Sequence, residues 1–193
     1  MPVPSRFPAS LWWQRPRLGY RQNRLHLAGQ DLDALARASG TPLYAYDGQR
    51  VLDNARRIRA ALRSAVGANH RVFYAMKSNR FAPLLSALRT HDLCGIDACS
   101  PEELLLARQC GFRASDISYT GTAMSDADAR CLARHPDVIV NCDSLASLRR
   151  IAALSPGRAV GLRINPGLGL GYRKNRLLRY AGGAATKFGI YAE

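Results

Sequence analysis

Lysine is scarce in this chain. Only 3 of the 28 basic residues are lysines, at positions 77, 174 and 187, so arginine carries nearly all of the positive charge. Acidic residues are also few, 14 against those 28, which leaves a formal net charge of +14 over 193 residues. No run approaches the ~20 consecutive apolar residues of a membrane-spanning helix, so no such helix is predicted. The five cysteines (94, 99, 110, 131 and 142) are odd in number and form no C-x-x-C pair, and the four histidines (26, 70, 91 and 135) are scattered. Neither a disulfide framework nor a metal site is expected from such spacing. Most of these cysteines sit in apolar segments, the setting of reduced core thiols in a cytoplasmic protein. Residues 1–20 have no apolar core or small-residue cleavage pattern, and prolines at 2, 4, 8 and 16 oppose an amphipathic targeting helix. We read this stretch as an ordinary or poorly ordered cytoplasmic N-terminus.

A net charge this positive raises the possibility of a basic nucleic-acid-binding module. The arginines, however, are spread over nearly every segment. Only Arg173, Lys174, Arg176 and Arg179 cluster, with little of the aromatic interleaving that stacks on bases. The distribution argues against nucleic acid as a partner.

From residue 47 onward, strand and helix signals alternate. Asp47 can cap a helix over 51–65, whose apolar stripe is Val51, Leu52, Ala55, Ile58, Leu62 and Ala65. A strand is predicted over 72–76, a helix over 81–88 and a strand over 94–98. Ser100-Pro101-Glu102-Glu103 then reads as a capping box opening the helix 102–110. Strands over 117–120, 138–142 and 159–165 follow, separated by helices that start at Ser125 and Ser144. A further strand begins near Phe188-Gly189-Ile190-Tyr191. Alternation of this kind implies a parallel sheet, either barrel or open. An eight-stranded barrel takes about 250 residues, so five to six strands in this chain read as an incomplete barrel. The domain reading is an N-terminal, partly extended segment over 1–46 and a truncated barrel over 47–193.

Lys77 ends the apolar run Val72-Phe73-Tyr74-Ala75-Met76 and precedes Ser78-Asn79. Arginine stays protonated in proteins, whereas a lysine can shed its proton and attack a carbonyl. Position alone leaves two readings, a strand-end lysine in solvent or a nucleophilic amine. Asp97 closes the next strand, at the pole of a parallel α/β sheet where sites form, and is equally readable as a turn aspartate. Arg163, inside the apolar strand Gly161-Leu162-Arg163-Ile164, needs a carboxylate partner, either Asp97 or another. Gly167-Leu168-Gly169-Leu170-Gly171 lacks the G-x-G-x-x-G spacing and a following helix, so it reads as a glycine-rich loop at the mouth of a site rather than a dinucleotide loop.

Taken in order, Gly40-Thr41-Pro42-Leu43-Tyr44-Ala45-Tyr46-Asp47, Phe73-Tyr74-Ala75-Met76-Lys77-Ser78-Asn79, Gly95 to Glu103, Gly161 to Gly167 and Thr186-Lys187-Phe188-Gly189-Ile190 resemble the N-terminal barrel of the diaminopimelate/ornithine-type decarboxylases. These are alanine-racemase-like enzymes dependent on pyridoxal 5′-phosphate. The resemblance spans roughly residues 20–193. It implies an incomplete (β/α)₈ TIM-type barrel, with Lys77 holding the cofactor as a Schiff base. Asp97, Arg163 and Lys187 are implied as further cofactor-site residues, with Lys187 raising the local positive potential. The implied reaction is decarboxylation of a basic or diamino acid, and the implied assembly of a full-length form is a homodimer. A racemase or cofactor-carrying protein of the same fold is the alternative. Residues 169–180 depart from the family's His-Thr-His loop, which leaves the amino acid open. The family's phosphate loop and C-terminal catalytic motifs would lie beyond Glu193, so a fragment with impaired activity is expected.

Overall fold

The structure is a computed structural model that describes residues 16–166 and 188–191. It divides into two compact units, residues 1–51 and 52–193. In the first, β1 (Leu18–Arg21), β2 (Arg24–Leu27) and β3 (Gln30–Asp31) form an antiparallel meander. Gln22 and Asn23 both take positive φ, the requirement of a two-residue hairpin turn that keeps the twist of its flanking strands. The Asp31 side chain then accepts from the backbone N–H groups of Asp33 and Ala34 and starts α1 (Leu32–Ser39). Of the stretch 1–20 read from composition as ordinary or poorly ordered, residues 1–15 lie outside the described residues, and its last residues enter β1. Asp47 accepts from the backbone N–H of Arg50 at 3.2 Å, capping α2 (Gly48–Val66), as predicted. The division between the two units falls within that helix's first turn.

The second unit carries five parallel strands in the order β4 (Phe73–Ala75), β5 (Gly95–Ala98), β6 (Ile117–Tyr119), β7 (Ile139–Cys142) and β8 (Gly161–Leu162). Between them run α3 (Ala82–Thr90), α4 (Pro101–Gln109), α5 (Asp126–Ala133) and α6 (Leu145–Leu154). Register places Ile96 beside Ile117, Ala98 beside Tyr119, and Tyr119 beside Val140. This sheet face is buried, along with Leu85, Leu88, Leu104, Leu132 and Ile151 from the helices. Asp97, Ser118 and Asn141 alternate onto the other face, as the two-residue period of a strand requires. One face therefore makes the core and the other presents polar groups, an arc of a (β/α)₈ barrel.

Serine caps punctuate the helices. Ser125 with Asp128, and Ser144 with Ser147, form reciprocal capping boxes. At α4, Ser100 accepts from the Glu103 N–H, but the Glu103 carboxylate reaches one residue further back, to the N–H of Cys99 at 2.8 Å. The predicted strand 159–165 is broken at Arg163. β8 pairs with β7, while β9 (Ile164–Asn165) pairs in parallel with β10 (Ile190–Tyr191). The α2 stripe buries only Leu52, and Ile58 is exposed. Periodicity shows which face is apolar but not what covers it.

Candidate active site

Lys77 sits in a 3₁₀ turn, Met76–Ser78, at the carboxyl end of β4. Met76 is fully buried and anchors the turn. The Ser78 hydroxyl donates to Ala75 O at 2.7 Å, the Asn79 N–H to Met76 O at 3.1 Å and the Tyr74 hydroxyl to Asn79 O at 3.2 Å. Asn79 Oδ1 in turn accepts from the N–H of Phe81 at 2.9 Å, leading the chain into α3. The backbone of Lys77 is thus fixed from both sides, while the residue itself is exposed. The strand was predicted to run through Met76; it stops at Ala75 because the turn takes over.

Across the polar face, a chain of hydrogen bonds links three neighbouring strands. The Thr120 hydroxyl donates to Asp97 Oδ1 at 3.2 Å, and Asn141 Nδ2 donates to Thr120 Oγ1 at 3.0 Å and to Ser118 Oγ at 2.9 Å. Asp97 is thereby oriented by a hydroxyl whose own acceptor site is filled. Ser118, Thr120 and Asn141 escaped the sequence reading. Their signal is a polar residue at alternating strand positions, which looks the same on a solvent face as in a site.

Arg163 does not pair with Asp97. Its partner is Asp143, at 3.2 Å. The Asp143 side chain is 7% exposed, and its Oδ1 also accepts from the N–H of Gly189 at 3.1 Å. The guanidinium lies over the Phe188 ring, 4.3 Å from its centroid, an arrangement in which a cation meets the negative face of the ring. Gly189 makes this approach possible: it takes φ of +82°, and a Cβ there would stand 3.0 Å from the backbone nitrogen of Asn165. Asp143 was missed, although it stands just before the Ser144 helix cap, close to where Asp97 stands before Ser100. The strand break at Arg163 explains the exchange of partner, since it turns the chain toward β10 and the Asp143 corner.

Cys99 ties the two groups together. Burial, followed by the charges of Asp97 and Glu103, pushes its thiol up, and the positive charges of Lys77 and Arg163 oppose that rise. Lys77, Asp97 and Arg163 thus lie within electrostatic reach of one sulfur atom at the carboxyl pole of the sheet. Lys187 and the glycine-rich stretch 167–171 lie outside the described residues. Among the described residues, no group of His, Cys, Asp and Glu side chains could hold a metal ion, and no helix is long and apolar enough to cross a membrane.

Residues 50–193 match the family model described as "Pyridoxal-dependent decarboxylase, pyridoxal binding domain". The diaminopimelate decarboxylase of Methanothermobacter thermautotrophicus is 35% identical over 170 residues, covering 88% of this chain and 38% of that protein. The diaminopimelate decarboxylase of Thermoplasma acidophilum is 30% identical over 164 residues, covering 85% of this chain and 38% of that protein. The chain therefore spans about two fifths of the length of these curated relatives. The crystal structure of a diaminopimelate decarboxylase from M. jannaschii in co-complex with L-lysine shares the fold, with a TM-score of 0.77, 24% identity, and coverage of 91% of this chain and 41% of that one.

Proposed function

We propose, from the premise that this chain belongs to the pyridoxal-dependent decarboxylases through their pyridoxal-binding domain, that Lys77 is the cofactor-bearing residue of a diamino-acid decarboxylase. The observation that carries this reading is a primary amine on a doubly fixed turn, sharing one sheet pole with an oriented carboxylate and a held guanidinium. Such a donor set suits pyridoxal phosphate: an amine for its aldehyde, and fixed charges of both signs for its polar substituents. When bound, the cofactor supplies the electron sink for the carbanion left by loss of a carboxylate.

The protein's own residues have separable tasks. Lys77 Nζ is the nucleophile and must give up its proton to act. The 3₁₀ turn orients that amine, so less motion has to be frozen out on reaction. Asp97, held by Thr120, presents a fixed negative charge. Arg163, held by Asp143 and Phe188, presents a fixed positive charge that suits an anionic substituent. Lys187 is assigned to the same site through its Thr-Lys-Phe-Gly segment.

A diaminopimelate-type substrate is the first choice, because the curated relatives above carry that name. Their greater length supports a reading in which the 193-residue polypeptide supplies the lysine-bearing part of the site, with residues 1–46 as a separate N-terminal segment, and has impaired activity by itself. We assign the complete enzyme to a homodimer in the cytoplasm, where the chain's free thiols would stay reduced. The test is complementation. The chain is combined with the C-terminal three fifths of a curated relative, and carbon dioxide release is measured from meso-diaminopimelate, L-lysine and L-ornithine. Release from meso-diaminopimelate that Lys77→Ala abolishes is expected. Release that survives Lys77→Ala would overturn the assignment.

A further inference from the structure

A second charged site lies at the opposite pole of the sheet. A cavity of about 530 Å³ opens beside the segments that enter the strands: Arg71 and Val72 precede β4, Leu93 and Cys94 precede β5, and Asp116 precedes β6. Its other wall is α2, which contributes Arg56, Arg59 and Arg63. These three stand at i, i+3 and i+7, a spacing that puts them on one helix face. Lys77 is at the carboxyl ends of the same strands, so this cavity is distinct from the candidate active site.

The charge balance there is uneven. Four guanidiniums face two carboxylates, Asp92 and Asp116, and both acids already hold an arginine that does not line the cavity. Asp116 accepts from Arg113 at 2.8 Å as well as from Arg71 at 3.1 Å, and Asp92 stands 3.4 Å from Arg89. Arg59 donates to the backbone oxygen of Asp92, which is neutral. Among the described residues, the Arg56 guanidinium has only an exposed pairing with Asp53, three residues away on the same helix. The Arg63 guanidinium has no hydrogen-bond or ion-pair partner among the described residues, and its backbone oxygen only accepts from the Gly67 N–H. His70 Nδ1 lies 2.8 Å from Gly67 O, and a carbonyl only accepts, so Nδ1 carries the hydrogen, Nε2 of the neutral ring is an acceptor, and the donors of the cavity are the guanidiniums. Guanidiniums brought to one concavity with their counter-charges used up elsewhere match a ligand that brings several acceptor oxygens and more than one negative charge.

We propose that this cavity binds a diphosphate-class oxyanion, with Arg56, Arg59 and Arg63 on one side and Arg71 on the other. The volume admits a diphosphate with room for an organic substituent. Two sources share this chemistry, free pyrophosphate and a nucleoside diphosphate. Equal affinity for both assigns recognition to the phosphates alone, and tighter binding of the nucleoside diphosphate assigns it to the organic ligand.

The experiment is calorimetric titration of the cofactor-free 193-residue chain with inorganic pyrophosphate and with a nucleoside diphosphate at about 0.1 M ionic strength, where exposed charges more than ~10 Å apart are screened. One saturable site is expected. Arg63→Gln should weaken it about tenfold, Arg56→Gln should also weaken it, and Arg149→Gln on the exposed face of α6 should leave it unchanged. A sample whose lysine pole has been blocked with pyridoxal phosphate and borohydride should keep the same affinity. Absence of saturation, equal losses in Arg63→Gln and Arg149→Gln, or loss of binding in the blocked sample would each overturn the proposal. The first shows no site, the second diffuse attraction, and the third binding at the other pole.

Discussion

Replacing Asp143 should harm this chain more than replacing Asp97, although Asp97 is the carboxylate that the sequence motif singles out. Asp143 Oδ1 takes two donors, Arg163 Nη1 at 3.2 Å and the Gly189 N–H at 3.1 Å. The Arg163 side chain is 40% exposed, so solvent screening holds its ion pair to about 1 kcal/mol or less. The Gly189 N–H is the larger stake, because this donor is part-buried and leaving such a donor unsatisfied costs about 1–3 kcal/mol. Asp143→Ala should therefore cost about 2 kcal/mol. Asp143→Asn keeps an acceptor oxygen and should cost about half of that. Asp97 takes a hydroxyl from Thr120 in a part-buried setting, and Asp97→Ala should cost about 1 kcal/mol. With a urea dependence of about 2 kcal/mol per molar, Asp143→Ala should lower the unfolding midpoint by about 1 M and Asp97→Ala by about half as much. Circular dichroism through a urea series, with all three variants beside the parent, reads this directly. An Asp97→Ala shift equal to or larger than that of Asp143→Ala would refute the partner assignment on which the site's geometry rests.

Acid should weaken the chain partly through Asp116. Its hydrogen bond from Arg113 holds that carboxyl below the usual range, against the opposing effect of burial and with help from the charge of Arg71. A depressed folded-state pKa means the contribution is complete above the unfolded value of about 3.9 and disappears as pH falls through the folded value. Urea midpoints measured from pH 5 down to pH 2.5 should fall less steeply in Asp116→Asn than in the parent. Gly95→Ala should destabilise by about 1–3 kcal/mol, because its Cβ would meet the backbone oxygen of Asp116 and, at 2.9 Å, the Phe73 ring. A melting temperature unchanged by that substitution would contradict the close pairing of β4 with β5. The 193-residue polypeptide by itself should release little carbon dioxide from diaminopimelate, lysine or ornithine, because the five-stranded parallel sheet among the described residues falls short of the eight strands that close a barrel around the cofactor. Robust turnover by the purified chain would show that account of its activity to be wrong.

The alternation of helix and strand was legible because each helix announces its own start. Ser100, Ser125 and Ser144 are local signals, and capping is a local interaction. The turn that carries Lys77 is local in the same way, because it is built from its immediate neighbours. The network around Asp97 was not, because its members stand on three strands and meet only once register is set. The partner of Arg163 was missed because it depends on where the strand breaks, which apolar content does not mark. The arginine-lined cavity was hidden differently. Its residues look evenly spread along the chain, and only folding brings Arg71 against the α2 face.

The central claim is that Lys77 is the amine that takes the cofactor, and covalent mapping tests it most directly. The purified chain is incubated with pyridoxal phosphate, reduced with borohydride, digested and sequenced by mass spectrometry. The account predicts a reduced cofactor adduct on the peptide bearing Lys77, absent from Lys77→Ala. Labelling concentrated on Lys174 or Lys187, with Lys77 unmodified, would contradict it.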